Sequence, residues 1–233
     1  MTNEEFSNEF DVLVNSYSVN RPEGLASTPL EFDEYEKSVF LTKAQESIVS
    51  SLYNGNLLGD SFEKTEELKR YLAGLVKTDN IDIFTTESKD NLTSYSYICS
   101  IPDDVFYITY EAAISDDDSM GCLKGTTMEV VPITQDEFHR IKDNPFKGPN
   151  RKRVLRMDID TTVIELISKY TLSNYQIRYV SVPKPIILIN LPDNLTINRE
   201  SKETECKLNP AIHRLILEMA VNLAIKSRSS VTK

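Results

Sequence analysis

The sequence predicts an α+β fold with helices at the N-terminus, a central and mostly antiparallel β region, and an amphipathic helix at the C-terminus. In the first quarter of the 233 residues, apolar side chains recur every three or four positions, the period of a helix buried on one face. From residue 79 they alternate with polar ones, as in half-buried strands. The helical period returns after residue 209. Helices and strands confined to separate stretches of the chain are typical of α+β proteins.

The first helix begins with a capping box. Thr2 and Glu5 are spaced so that each side chain accepts a hydrogen bond from the backbone N–H of the other residue. One apolar stripe follows on a single helical face: Phe6, Phe10, Leu13, Val14 and Tyr17. We predict that this helix ends near Asn20, because Arg-Pro-Glu-Gly then interrupts the pattern.

Two more helices are predicted before the β region. In the second, Thr28 caps the N-terminus, Pro29 takes the first helical position and Glu31 completes a capping box. This helix ends at the Asn-Gly-Asn of residues 54–56, because glycine tolerates the positive φ of a helix C-terminus. A third helix is predicted over residues 61–77.

The β region and the last helix follow from similar patterns. Seven runs have the alternation or apolar content of strands: 95–101, 106–114, 127–133, 154–157, 163–167, 175–182 and 186–191. Pro132 marks an edge or an end of the third run, since it lacks a backbone N–H. Asn209 and Pro210 start the last helix. Its predicted buried stripe comprises Ile212, Leu215, Ile216, Met219 and Leu223.

These elements divide the chain into three segments that we expect to pack as one domain. Residues 1–78 form a helical region, and residues 79–208 form a β-rich region with a short helix near 135–142. Residues 209–233 form the C-terminal helix and a polar, basic tail. The three cysteines are odd in number and widely spaced, which indicates reduced thiols in a protein made in a cytoplasm.

The net charge of −10 is unevenly distributed along the chain. Residues 1–118 carry 24 acidic and 8 basic side chains, and residues 119–233 carry 12 and 18, giving −16 and +6. Two halves of opposite charge suit head-to-tail contacts between copies. The acidic helices are equally well explained by solubility alone. The acidic balance argues against a dedicated DNA-binding domain. No secretory signal or membrane-spanning apolar run is predicted, so we expect no membrane partner.

The sequence offers no recognisable catalytic or cofactor site. The two histidines, His139 and His213, lack a nucleophile motif nearby. The seven glycines form neither a Walker loop nor a dinucleotide pattern. The acidic triplet at residues 116–118 begins like a calcium loop, but Met120 and Thr127 stand where ligands are required. We therefore interpret the triplet as a solvated turn and predict no enzyme activity, no cofactor and no metal.

The sharpest electrostatic feature is a basic loop in the second half of the chain. Its candidate contact residues are Lys147, Arg151, Lys152, Arg153 and Arg156. Three roles remain open for this loop: binding an acidic neighbouring subunit, binding DNA phosphate, or simple solvation. The short basic run lacks interleaved aromatic residues, which favours the contact with a protein subunit.

Four stretches resemble a family of virion structural proteins of tailed phages, notably the crAss-like phages of gut Bacteroidales. FDEYEKSVFLTKAQE at 32–46 is similar to a helix of that family, and NPFKGPNRKRVLRMD at 144–158 is similar to its basic loop and following strand. YQIRYVSVPKPIIL at 175–188 and TECKLNPAIHRLILEMAVNLA at 204–224 resemble its C-terminal half.

The resemblance implies a structural ring subunit of the portal-proximal neck or tail barrel in the virion. Such a ring would contain twelve copies, following the portal, and would contact the portal and other ring proteins. It would enclose the genomic DNA without specific binding, and we expect an acidic surface on the lumen so that DNA slides. The alternative is a non-enzymatic assembly or ejected cargo protein of the phage.

Overall fold

A computed structural model of the chain describes most of the sequence. The described residues are 1–19, 30–55, 66–83, 96–192 and 194–230. They contain helices at the N-terminus, a seven-stranded mixed sheet and a long C-terminal helix. The predicted α+β class is confirmed.

The elements are numbered in chain order. The helices are α1 (Asn3–Val19), α2 (Glu34–Tyr53), α3 (Glu66–Leu72), α4 (Gln135–Ile141) and α5 (His213–Ser230). The strands are β1 (Val76–Asp82), β2 (Ser96–Ser100), β3 (Val105–Ser115), β4 (Thr127–Pro132), β5 (Arg153–Asp158), β6 (Val163–Ile167) and β7 (Leu172–Ser181).

Contacts within the chain divide it into two compact units. The helical unit joins Met1–Leu75 to Val182–Lys233, and the sheet unit comprises Val76–Ser181. By sequence, the helical unit has 19 acidic and 14 basic side chains and the sheet unit has 17 and 12, so each carries a net charge of −5. The uneven charge along the sequence is thus not a difference between the units. The three predicted segments, packed as one domain, remain a prediction.

Helix α1 forms as its sequence predicts. The Glu5 carboxylate accepts a hydrogen bond from the Thr2 N–H at 2.8 Å, and Thr2 Oγ1 accepts one from the Glu5 N–H at 3.2 Å. Phe6 and Phe10 are completely buried. Tyr17 lies on the same helical face as Phe6 and Phe10 but is 50% exposed, so burial of the predicted stripe stops before the C-terminal end of the helix.

The predicted start of α2 is wrong. The helix begins at Glu34, and the residues before it are non-helical, so Glu31 belongs to no capping box. Asp33 caps the helix instead, and its carboxylate accepts a hydrogen bond from the third helical N–H at 2.6 Å. Aspartate is as strong a cap as threonine, and the sequence pattern did not distinguish the two positions. Thr28 and Pro29 lie outside the described residues.

The predicted third helix extends too far. Helix α3 ends at Leu72 and a 3₁₀ turn leads directly into β1 at Val76, where the sequence predicted helix to residue 77. Strand β1 escaped prediction because it is an edge strand with mostly half-exposed or exposed side chains. Its partner is β7, about a hundred residues later, and such a distant pairing leaves no local signal.

The sheet has the order β1-β7-β3-β4-β5-β6-β2, and every pair except β4–β5 is antiparallel. Parallel neighbours require a crossover connection, and α4 supplies it between β4 and β5. The predicted short helix near 135–142 and the predicted end of a strand at Pro132 are confirmed.

One face of the sheet encloses the larger core of this unit. Ile81 in edge strand β1 and Cys99 in edge strand β2 pack in the same cluster as Tyr175 and Ile177 of β7. Among the described residues, the only helical cover on this face is a short 3₁₀ turn that contributes Met120. The sheet therefore curls around its own side chains. Helix α4 covers part of the opposite face through Phe138.

The predicted strand at 186–191 is wrong, because these residues join no strand of the sheet. The segment is extended, and three of its backbone groups bind side chains of α2. Thr42 Oγ1 accepts a hydrogen bond from the Ile186 N–H at 3.1 Å and donates one to the Ile186 carbonyl at 3.3 Å. Ser38 Oγ accepts from the Leu188 N–H at 3.1 Å. These buried hydroxyls replace a neighbouring strand, so only a single bridge to Thr204 forms.

Candidate subunit-contact surface

The basic loop (residues 142–153) is the return arm of the only parallel crossover in the described sheet. It leaves α4 and delivers the chain to the first residue of β5. The Lys152 carbonyl accepts a hydrogen bond from the Glu129 N–H of β4 at 2.8 Å, which fixes the loop to the start of the parallel pair. The sequence pattern that places strands on either side of α4 thereby also positions this loop.

Two asparagines hold the basic loop in shape. Asn144 Oδ1 accepts hydrogen bonds from the N–H groups of Phe146 at 2.9 Å and Lys147 at 3.2 Å. Asn150 Oδ1 accepts one from the Lys152 N–H at 2.9 Å. The Arg153 guanidinium donates to the Phe146 carbonyl at 2.8 Å. Side chains that bind the backbone in this way define a loop without secondary structure.

Gly148 permits the tightest point of the loop. A Cβ atom there would lie 2.6 Å from the Asn144 carbonyl oxygen and 2.8 Å from the Ile141 carbonyl oxygen. Both are backbone atoms that cannot move aside, so only glycine fits. Gly148 and the side chain–backbone hydrogen bonds therefore favour this conformation of the basic loop, which exposes Phe146, Lys147, Arg151 and Lys152.

Four of the five predicted contact residues share this loop. Lys147, Arg151 and Lys152 are exposed, and none of them forms an ion pair with another described residue. Arg153 is half-buried and lies 3.6 Å from the Glu129 carboxylate. Three cationic side chains thus remain available for a partner.

The most exposed apolar side chain on this surface was not predicted from the sequence. Phe146 is 85% exposed, the highest value for a large hydrophobic residue in the described part of the chain. It sits among the cationic side chains, where the sequence had been interpreted as lacking an aromatic. The available signal was a phenylalanine within an Asn-Pro-Phe-Lys-Gly-Pro turn, since turns seldom bury their side chains.

Arg156 lies apart from the other four predicted contact residues. It is 8% exposed on the inner face of the curled sheet, where it forms an ion pair with the buried carboxylate of Glu111. Asp158 completes the pairing at 3.2 Å, and Tyr175 donates a hydrogen bond to Glu111 at 3.2 Å. Burial raises the pKa of the Glu111 carboxyl, and the Arg156 charge opposes that rise. Because this charge is paired inside the chain, Arg156 is not available to a partner.

The acidic triplet makes structural hydrogen bonds. Asp117 accepts hydrogen bonds from the Ser119 N–H at 2.8 Å and from the Thr171 N–H at 3.0 Å. These bonds lower the pKa of the Asp117 carboxyl to about 2, with the Ser119 hydrogen bonds as the leading cause. Lys124 lies 2.6 Å from Asp118. Over the described ranges, no group of three His, Cys, Asp or Glu side chains is arranged to hold a metal ion.

The two histidines have different surroundings. His139 is exposed on α4. His213 is buried at the start of α5, where its Nε2 lies 2.9 Å from the Leu208 carbonyl and its Nδ1 lies 2.9 Å from the Met1 amino group. Burial lowers the pKa of His213, and the positive Met1 amino group lowers it further. These contacts make His213 a packing residue of the helical unit.

A second surface feature lies in the helical unit, between α1 and α5. The α1/α5 groove has a volume of about 460 Å³ and is lined by Asn8, Glu9, Val12, Leu13, Arg214, Leu217 and Glu218. Leu13 and Leu217 form its apolar floor. Val12, at 68% exposure, is the second most exposed large hydrophobic residue in the described ranges. Glu9 and Glu218 are exposed carboxylates on its rim.

None of the described helices has the length and apolar content that crossing a membrane requires.

Comparisons with known proteins identify the family. The profile described as phage tail ring protein 3/4 matches residues 1–233. The chain is 49% identical, over 235 aligned positions, to Ring protein 3 of Bacteroides phage crAss001, covering 100% of this chain and 98% of the relative. It is 35% identical to Ring protein 4/5 of the same phage, covering 94% and 90% of the two chains. The chain therefore belongs to the phage tail ring protein 3/4 family.

Proposed function

We propose that this protein is a non-enzymatic structural subunit that assembles into a ring in the virion of a tailed phage. The observation that carries the proposal is the family match over the whole chain, together with two relatives that are named as ring proteins. A ring subunit acts through the surfaces that it offers to its neighbours. The basic loop and the α1/α5 groove are two such surfaces.

The position of the ring in the particle is the finer part of the proposal. We place it in the portal-proximal neck or tail barrel, where it connects the capsid portal to the tail and encloses the DNA conduit. Twelve copies follow if the ring keeps the symmetry of the portal. The portal and other ring proteins are then its neighbours, and genomic DNA passes through without specific binding. The protein is made in the cytoplasm of the host bacterium.

The lumen of the ring should be acidic or neutral. DNA passes freely only where the wall does not attract phosphate. The exposed cations of Lys147, Arg151 and Lys152 should therefore lie at a contact between subunits and away from the bore. A particle reconstruction with these residues lining the bore would contradict this part of the proposal.

Electron microscopy of the purified protein and of purified virions tests the ring directly. We expect closed rings with a central hole from the protein, and many copies per particle at the neck or tail in virions. Small compact particles, present at few copies in the virion, would instead support an assembly or ejected cargo protein. Mass photometry of the same sample gives the number of copies in each ring.

A further inference from the structure

We propose that Phe146, with the basic loop that presents it, is the anchor by which one copy of this chain binds the α1/α5 groove of a second copy. This contact rests on the proposed ring function and specifies how neighbouring copies in the ring bind each other. The ring itself could form without it, so the two proposals can fail separately.

The exposed side of the contact is built to keep its shape. Phe146 is 85% exposed on a loop fixed by Asn144 and Asn150. The hydrogen bonds to the Phe146 backbone order the loop before binding, which lowers the entropy cost of forming a contact. Aromatic residues surrounded by polar groups dominate many protein interfaces. The exposed ring lies beside cationic side chains, an arrangement that suits an aromatic anchor with a polar rim.

The receiving side has the shape and chemistry that such an anchor requires. The groove between α1 and α5 is concave, has a floor of Leu13 and Leu217, and exposes Val12 at 68%. Its volume of about 460 Å³ exceeds that of one phenyl group. Seating Phe146 beside Val12 would remove from water the two most exposed large hydrophobic side chains of the described chain.

Charge favours the same pairing. The basic loop contains five basic side chains and one acidic one. Helix α1 contains four acidic side chains and no basic one. Glu9 and Glu218 on the groove rim have no ion-pair partner among the described residues. Arg214 adds one cation at the groove, which the surrounding carboxylates outnumber. Complementary potentials steer association and set its orientation.

A closed ring also requires this kind of pairing. Each copy in a ring contacts its two neighbours through different patches, so the surface must offer two unlike and complementary sites. The basic loop carries an exposed apolar ring among cations, and the α1/α5 groove carries apolar lining residues with more carboxylates than cations. A contact between two basic loops would instead bring like charges together.

Cross-linking tests the contact while leaving both apolar anchors in place. Glu9→Cys and Lys147→Cys are introduced together into a Cys122→Ser background, which removes the exposed native thiol. After treatment of assembled rings with a short bismaleimide, we expect a ladder of covalent oligomers. A Lys147→Cys variant alone should give no covalent dimer, because the contact never brings two basic loops together. The matched control pairs Glu9→Cys with Asp160→Cys. Asp160 is an exposed turn residue outside the basic loop, so this pair should give no ladder.

Truncation of the anchor gives the second measurement. Phe146→Ala should raise the protein concentration for half-maximal ring assembly by at least about tenfold, the effect of an interface anchor. Ile159→Ala removes another exposed apolar side chain of the sheet unit and should leave assembly unchanged. Because both side chains are exposed, neither change should alter thermal unfolding by more than a degree or two.

The outcomes separate this contact from the proposed function. Wild-type rings with no ladder from the Glu9→Cys and Lys147→Cys pair would overturn the contact and leave the ring function standing. Phe146→Ala could instead form rings as readily as the wild-type protein and lose binding to a short DNA duplex. That result would overturn the contact between copies and identify DNA as the ligand of the basic loop. Wild-type protein that forms no ring would overturn both proposals.

Discussion

The two compact units satisfy their buried backbone in different ways. In the sheet unit, extended segments bind one another, and β7 lies between β1 and β3 with both edges paired. In the helical unit, the extended segment at 184–188 binds the side chains of Ser38, Thr42 and Gln45 on α2. Both segments have the apolar content of a strand. In both units the strand-like sequence is extended, whereas the rest of the fold determines which groups its backbone binds.

The two units also differ in how exposed the carboxylate partners of a buried cation are. Lys37, 3% exposed on α2, lies 2.7 Å from Asp11 and 2.9 Å from Glu34, whose carboxylates remain partly in water. Burial opposes the charge on Lys37, but its hydrogen bonds to these carboxylates outweigh it and raise the pKa. Arg156 is paired with Glu111, which is itself buried. Loss of the cation should therefore be more damaging in the sheet unit than in the helical unit.

The largest effect is expected for Arg156→Met. The change leaves the Glu111 carboxylate buried without a compensating charge, which costs about 3–5 kcal/mol of unfolding free energy. Urea denaturation measures this loss. The double variant Glu111→Leu with Arg156→Met should recover most of it, because neither charge then remains. A double variant no more stable than the single one would contradict the ion-pair explanation.

A smaller loss is expected for Lys37→Met. Asp11 and Glu34 lose a shared cation, but both can turn toward water, so the cost should be about 2 kcal/mol. The same urea titration measures it. Equal losses of unfolding free energy for Lys37→Met and Arg156→Met would contradict the proposed difference between the two buried cations.

Thr42→Val tests how the helical unit binds its extended segment. Valine keeps the shape of threonine but leaves the Ile186 N–H and carbonyl without their buried partner, for a cost of about 1–2 kcal/mol. Thr109→Val is the matched control in the sheet unit. It removes a hydrogen bond to the Arg178 carbonyl that lies near solvent, so its effect on unfolding should be under about 1 kcal/mol.

The smallest effect is expected from pH. The pKa of His213 is lower in the folded chain than in the unfolded chain, so the unfolded state takes up a proton first as the pH falls. The contribution of His213 to stability should be constant above about pH 6.5, the ordinary histidine value, and should decrease as the pH falls toward the folded pKa. The decrease should be weaker in His213→Gln, which does not titrate. Equal slopes for the two proteins would show that His213 is not responsible.

Local signals predicted much of this fold. The α1 capping box and apolar stripe, the strand at 163–167 and the turn that ends α2 all depend on neighbours in sequence. Strand β1 and the segment at 186–191 were mispredicted because distant parts of the chain decide their partners.

The candidate surface shows the same division. The basic residues of the loop were found from composition, but the exposure of Phe146 and the burial of Arg156 were not. The exposure of Phe146 depends on the crossover through α4. The burial of Arg156 depends on the face of the curled sheet that this residue occupies. The α1/α5 groove was also invisible in the sequence, since its two walls are about two hundred residues apart.

Cryo-electron microscopy of the wild-type protein tests the central claim most directly. We predict closed rings in which every copy contacts two identical neighbours through two different surfaces. The claim is contradicted if the protein forms only single copies, or dimers joined through the same surface on both partners, at concentrations at which ring proteins assemble.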